Sequence, residues 1–212
     1  DEGAGVWLSI ESIRLILMDI LARGPREYHS PLLDRLADHV GVSEAELAGI
    51  PLSHAALAKA DLVARRMAES RPDHKRFLAR FVYPHIFDLA SIEPGKPHDP
   101  IASEVLSQSI EHIVRDVREA SDFLSAHTAD EPNLREKIPL IVGGNIAANP
   151  MYDQGMRSLI ATTCRSVASV GAIGDASGVL ANLALEYLLA DGRRQRQMVT
   201  PLDPLHTVLR LL

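Results

Sequence analysis

KIPLIVGGNIAANPMYDQGM, residues 137–156, is where the helical pattern of this chain breaks, and SVGAIGDASG, residues 169–178, breaks it again. Ile138 to Val142 is a short apolar run that reads as strand-like. One short strand does not make a sheet. The expectation is therefore an all-α fold with at most one strand-like segment near 138–142. Gly143-Gly144 is the only Gly-Gly pair in the sequence, and glycines let a backbone approach its partner closely. A phosphate loop is excluded, because no Gly-Lys-Ser/Thr follows. A dinucleotide fingerprint is excluded by the missing G-x-G-x-x-G.

Downstream of Pro150 the spacing of Met156, Leu159, Ile160, Cys164 and Val167 predicts one continuous helix. Gly171 to Gly174 interrupts it. Asp175 or Ser177 then caps a further helix carrying Val179, Leu180, Leu183, Tyr187 and Leu188, and a last short helix begins near Thr200.

Upstream the pattern is helical throughout. Residues 6–23 are apolar round most of a helix, with Ser12, Asp19 and Arg23 as a narrow polar stripe. A helix of that kind is buried by its neighbours, so it is expected at the centre. A second helix spans 31–40. Ser43 and Glu46 form a capping box for a short third, and Pro51-Leu52-Ser53 opens a fourth. Pro72 starts a fifth, with Pro84 kinking it. Residues 92–99 read as a loop. Asp99-Pro100 starts the longest helix, ending near Ala126. The sum is a bundle of about eight helices. It is expected to form one domain over 1–212, with a possible subdivision into 1–91 and 99–212.

The 212 residues carry a net charge of −6, with 46% hydrophobic and 24% charged residues. A whole-surface nucleic-acid binder is usually basic, so nucleic acid is disfavoured as a partner. No apolar run reaches the ~18 residues that a membrane-spanning helix needs. One cysteine excludes a disulfide framework and a multi-cysteine zinc site, and it fits a reducing compartment such as the cytoplasm. The start, DEGAG, lacks the features of a signal peptide and reads as that of a trimmed or processed chain.

Local chemistry is sparse. Nine histidines offer no i, i+4 pair and no Glu-x-x-His triplet, the spacings that helical metal sites use. No metal and no cofactor is expected. Cys164 sits on an apolar face, where it acts as a small hydrophobe. Tyr83 and His85 flank the kink at Pro84 and are candidates for a pocket, with a core histidine as the plainer reading of His85. The segment 33–48 resembles the turn of a helix-turn-helix, but Glu44 and Glu46 stand where phosphates are met. His98-Asp99 resembles the signature of HD phosphohydrolases, although Asp99 is better explained as a helix cap.

The loop GGNIAANP with Met151-Tyr152 resembles the catalytic loop of SopE-type bacterial effectors, helical guanine-nucleotide exchange factors for Rho-family GTPases. The resemblance implies a small-residue loop that wedges between switch regions of a GTPase. It covers fewer than about twenty residues, with Asn145-Ile146-Ala147-Ala148 in place of that family's Gly-Ala-Gly-Ala, and no catalytic residue is carried over.

The leading expectation is a helical binding or protein-interaction module acting through its glycine-rich loop, with another protein as partner. Its candidate contacts are Gly143, Gly144, Asn145, Asn149, Tyr152, Gly174 and Asp175, with Tyr83 and His85. The alternative is an enzyme or small-ligand protein with a pocket among the helices, lined by Tyr83, His85, Cys164 and the glycine loops. The sequence leaves open whether there is catalysis.

Overall fold

The structure is a computed structural model that describes residues 5–24, 28–69, 72–92, 94–127, 138–144, 146–164 and 167–173. The chain is mainly helical. Its contacts divide into two units, Asp1–Ile113 and Val114–Leu212, and the division falls inside the longest helix.

The first unit is wholly helical among the described residues. Helix α1 (Gly5–Arg23) packs against α2 (Pro31–Val40), α4 (Leu52–Ala68) and α5 (His74–Ala79), and the single turn α3 (Glu44–Leu47) leans on α4. Most of α1 is buried or half-buried. Leu8, Ile13, Ile16 and Ile20 face inward, while Ile10, Arg14, Met18 and Leu21 face solvent. Ser12 was expected on the polar stripe but points inward and donates to Leu8 O at 2.8 Å. Ser9 is buried beside it and donates to Leu78 O at 2.7 Å, which ties α1 to α5. A serine hydroxyl satisfied by a backbone carbonyl crosses into a core at little cost, so polarity alone misjudged that face.

Helix ends follow local chemistry. Glu46 accepts from the Ser43 N–H at 2.9 Å, which starts α3. This bond, followed by the Ser43 hydroxyl and Arg66, holds the Glu46 carboxyl below its ordinary range. Gly41, at φ 77°, closes α2 in the left-handed conformation. Asp99 is buried to 1% exposure and serves two helices. Its Oδ2 accepts from the Ser30 hydroxyl at 2.6 Å and the Leu32 N–H at 3.0 Å, at the start of α2. Its Oδ1 accepts from the Ile101 N–H at 2.9 Å, at the start of α7 (Pro100–His127). The cap reading of Asp99 therefore holds.

The expected fifth helix is split. After α5 comes a π-helical segment, Val82–Ile86, with a cis Tyr83–Pro84 bond, and then α6 (Phe87–Ala90). Tyr83 sits at φ −111°, ψ 118°, the extended region into which a following proline pushes its neighbour.

The second unit corrects the strand expectation. Strand β1 (Ile138–Gly143) pairs in parallel with a second strand, β2 (Val167–Ile173), after the crossover helix α8 (Pro150–Thr163). Helix α8 does not run on through Cys164 to Val167. Thr162 and Thr163 turn their hydroxyls back onto Leu159 O, at 2.9 and 2.6 Å. Such back-bonding weakens a helix. The β-branched Val167, Val170 and Ile173 then join the open edge of β1. The helices expected beyond Gly174 lie outside the described residues.

Candidate functional site

The β1–α8–β2 order puts the Gly-Gly pair at the carboxyl end of a parallel strand. The register pairs Ile141 with Gly171, Val142 with Ala172 and Gly143 with Ile173. The ends of the two strands thus lie side by side, Gly143 beside Ile173. Gly174 and Asp175 follow directly in sequence, outside the described residues, as does Asn145.

The connection from β1 to α8 is a compact turn. Ala148 N–H donates to Gly144 O at 3.1 Å, and Asn149 N–H donates to Ile146 O at 3.0 Å. Gly144 has φ +123°, and a Cβ placed there meets nothing within 4 Å. That backbone angle is one that side-chain-bearing residues rarely adopt, and the space beside it is open. Ala147 is buried beneath the turn, Ala148 is exposed, and Met151 is 38% exposed beside it.

Asn149 caps α8, with its side chain accepting from the Met151 N–H at 3.1 Å. Pro150 has no N–H to offer. The start of α8 is therefore largely satisfied by its own residues, which weakens it as an anion cradle of the kind helix N-termini provide. Tyr152 is buried to 1% exposure, so it holds α8 in place and does not line an open surface. Arg157 clamps the unit. Its Nε donates to Asp153 Oδ2 at 2.8 Å, and its Nη1 donates to Val170 O on β2.

Cys164 ends α8 and is buried, with Sγ 4.0 Å from Val114 O. Tyr83 and His85 belong to the first unit. Tyr83 is 39% exposed and stacks on Phe87 at 5.0 Å. His85 lies against Phe81 and His39, with ring centroids at 5.1 and 6.1 Å. Its buried Nδ1 makes no hydrogen bond among the described residues. Burial lowers its pKa from the ordinary 6.5, Arg35 and His39 lower it further, and Asp88 and Asp38 oppose them.

No group of histidine, cysteine or acidic side chains among the described residues is arranged to hold a metal ion. No described helix is long and apolar enough to cross a membrane. The helix-turn-helix likeness ends in α3, a four-residue helix with no buried residue, which is about 6 Å long and short for a groove-reading helix.

Sequence reading passed over a cleft in the first unit, at the starts of α2, α4 and α7. The available signal was a repeated tripeptide. His29-Ser30-Pro31 and His98-Asp99-Pro100 open α2 and α7 with the same arrangement of imidazole, cap and proline.

Comparison with protein-family models, with curated proteins and with solved structures returns no match.

Proposed function

We propose that this is a binding protein whose second unit holds a small molecule at the carboxyl edge of β1 and β2, against the turn from Gly143 to Asn149. The observation that carries the reading is the pairing of Gly143 with Ile173, which sets the carboxyl ends of two parallel strands next to each other. In open α/β arrangements, ligands collect in the crevice outside the carboxyl ends of parallel strands. The open space at Gly144 lets a ligand lie directly on the backbone. The capped start of α8 favours ligands read by backbone N–H and C=O groups over a bare phosphate at that helix.

A second reading rests on the exposed Met151 and Ala148 beside the turn. In it the same loop docks on a protein partner, as the exchange-factor resemblance implies. The β–α–β setting favours the small ligand.

Thermal-shift measurements on the full chain, with nucleosides, nucleotides and amino acids as probes, test the proposal. A shift that Gly144→Ala abolishes, while circular dichroism is unchanged, supports it. If no probe shifts the wild type, and a protein captured by the wild type is lost on Gly144→Ala, the small-ligand reading gives way to the protein-docking one.

A further inference from the structure

The first unit has a cleft of its own, lined wholly by residues of that unit. It encloses about 880 Å³, within the range of small-molecule pockets. Its floor is built from side chains fixed by the fold. Asp99 and Ser30, at 1% and 5% exposure, are locked to each other and to the first N–H groups of α2 and α7. Asp19, Arg23, Tyr28, His29, His54 and His98 line the walls.

The walls are rich in donors. The Tyr28 phenolic oxygen is buried and makes no hydrogen bond among the described residues. The Ser30 hydroxyl lies near it, with its own proton given to Asp99 and one lone pair taken by the Leu33 N–H. Burial pushes the Tyr28 phenol up to about 12, against a smaller lowering by the Ser30 hydroxyl, so it keeps its proton. Arg23 engages Asp19 through Nε at 2.7 Å, and its guanidinium carries further N–H donors on the two Nη atoms. His29, His54 and His98 contact Asp34, Ser53 and Ser103 through one ring nitrogen each. The two carboxylates are already answered, Asp19 by Arg23 and Asp99 by three donors at two helix N-termini.

We infer that this cleft binds a small ligand bearing carboxylate or phosphate oxygens. The Tyr28 hydroxyl donates to one ligand oxygen, the Arg23 guanidinium to another, and the three imidazoles line the rim. An orphaned buried hydroxyl calls for such a partner, because leaving it unpaired is costly.

The test is a ¹H–¹⁵N spectrum of the full chain titrated with inorganic phosphate and, separately, with citrate. Saturable shifts clustered at 19–24, 28–30, 53–54 and 98–101 are expected, and the probe that binds tells phosphate from carboxylate. Tyr28→Phe, which removes only the hydroxyl, weakens binding about ten-fold, and Arg23→Gln weakens it at least as much. Gly144→Ala leaves it unchanged, which separates this site from the glycine edge. The inference is overturned by shifts that never saturate, by affinities equal in wild type and Tyr28→Phe, or by binding of ethylammonium in place of both anions.

Discussion

The Ser30 hydroxyl donates to the Asp99 carboxylate at 2.6 Å across 69 residues of chain, and the two residues cap different helices. Asp99 accepts three hydrogen bonds at 1% exposure, so its loss leaves two helix starts and a serine hydroxyl without their acceptor. Asp99→Ala is expected to destabilise the first unit by about 3 kcal/mol, and Ser30→Ala by about 1 kcal/mol. Urea unfolding of both single variants and the double variant checks this. The double should cost less than the sum, because the two side chains share a bond. Strict additivity would show that they act separately.

His85 gives the stability a pH dependence. Its folded pKa is lowered from 6.5, chiefly by burial, then by Arg35 and His39. The unfolded chain thus binds the proton more readily, and stability rises with pH where the two states differ. The contribution is fully present above about pH 6.5 and is lost as the pH falls through the lower folded value. Denaturant midpoints measured between pH 8 and 5 should decline on the acid side, and less so in His85→Phe. Equal acid slopes in the two proteins would remove His85 as the cause.

Ile20 and Leu21 are neighbours in α1 with opposite environments, at 0% and 74% exposure. Ile20→Ala is expected to cost about 3 kcal/mol through the cavity it leaves. Leu21→Ala should stay within about 0.5 kcal/mol. Thermal or urea unfolding separates the two, and similar losses would mean that the α1 face carrying Leu21 is also covered.

At the glycine turn, Gly144→Ala meets no neighbour within 4 Å, yet φ is +123°. The expected loss is about 1–2 kcal/mol, from backbone strain alone. Asn149→Ala removes the α8 cap and should cost about 1 kcal/mol, with faster hydrogen exchange at the Met151 amide. A neutral Gly144→Ala would contradict the backbone angle.

Local chemistry made much of the fold legible. The Ser43–Glu46 pair, the breaks at Gly41 and Pro84, and the start of α7 at Pro100 are each written within a few neighbouring residues. The second strand was not, because Met156, Ile160, Cys164 and Val167 keep helical spacing. Only the distant edge of β1 and the back-bonding of Thr162 and Thr163 divert the chain. On α1 the apolar residues circle the helix, so spacing could not tell Ile20 from Leu21. The glycine stretches drew notice in the sequence, but the pairing of Gly143 with Ile173 depends on the β1–β2 register. The cleft escaped notice because its lining comes from three separated stretches, and the likeness of His29-Ser30-Pro31 to His98-Asp99-Pro100 does not say that the two meet.

The shared cap has a consequence for the order of folding. Helix α2 is only ten residues long, a length at which an isolated helix is marginal in water. Its first turn is completed by a carboxylate that lies 67 residues beyond Leu32. The local Ser30 cap reaches only the Leu33 N–H, so the Leu32 N–H has its acceptor only once Asp99 has closed that long loop. The starts of α2 and α7 thus share one acceptor, and the local chain around α2 does not by itself complete its first turn.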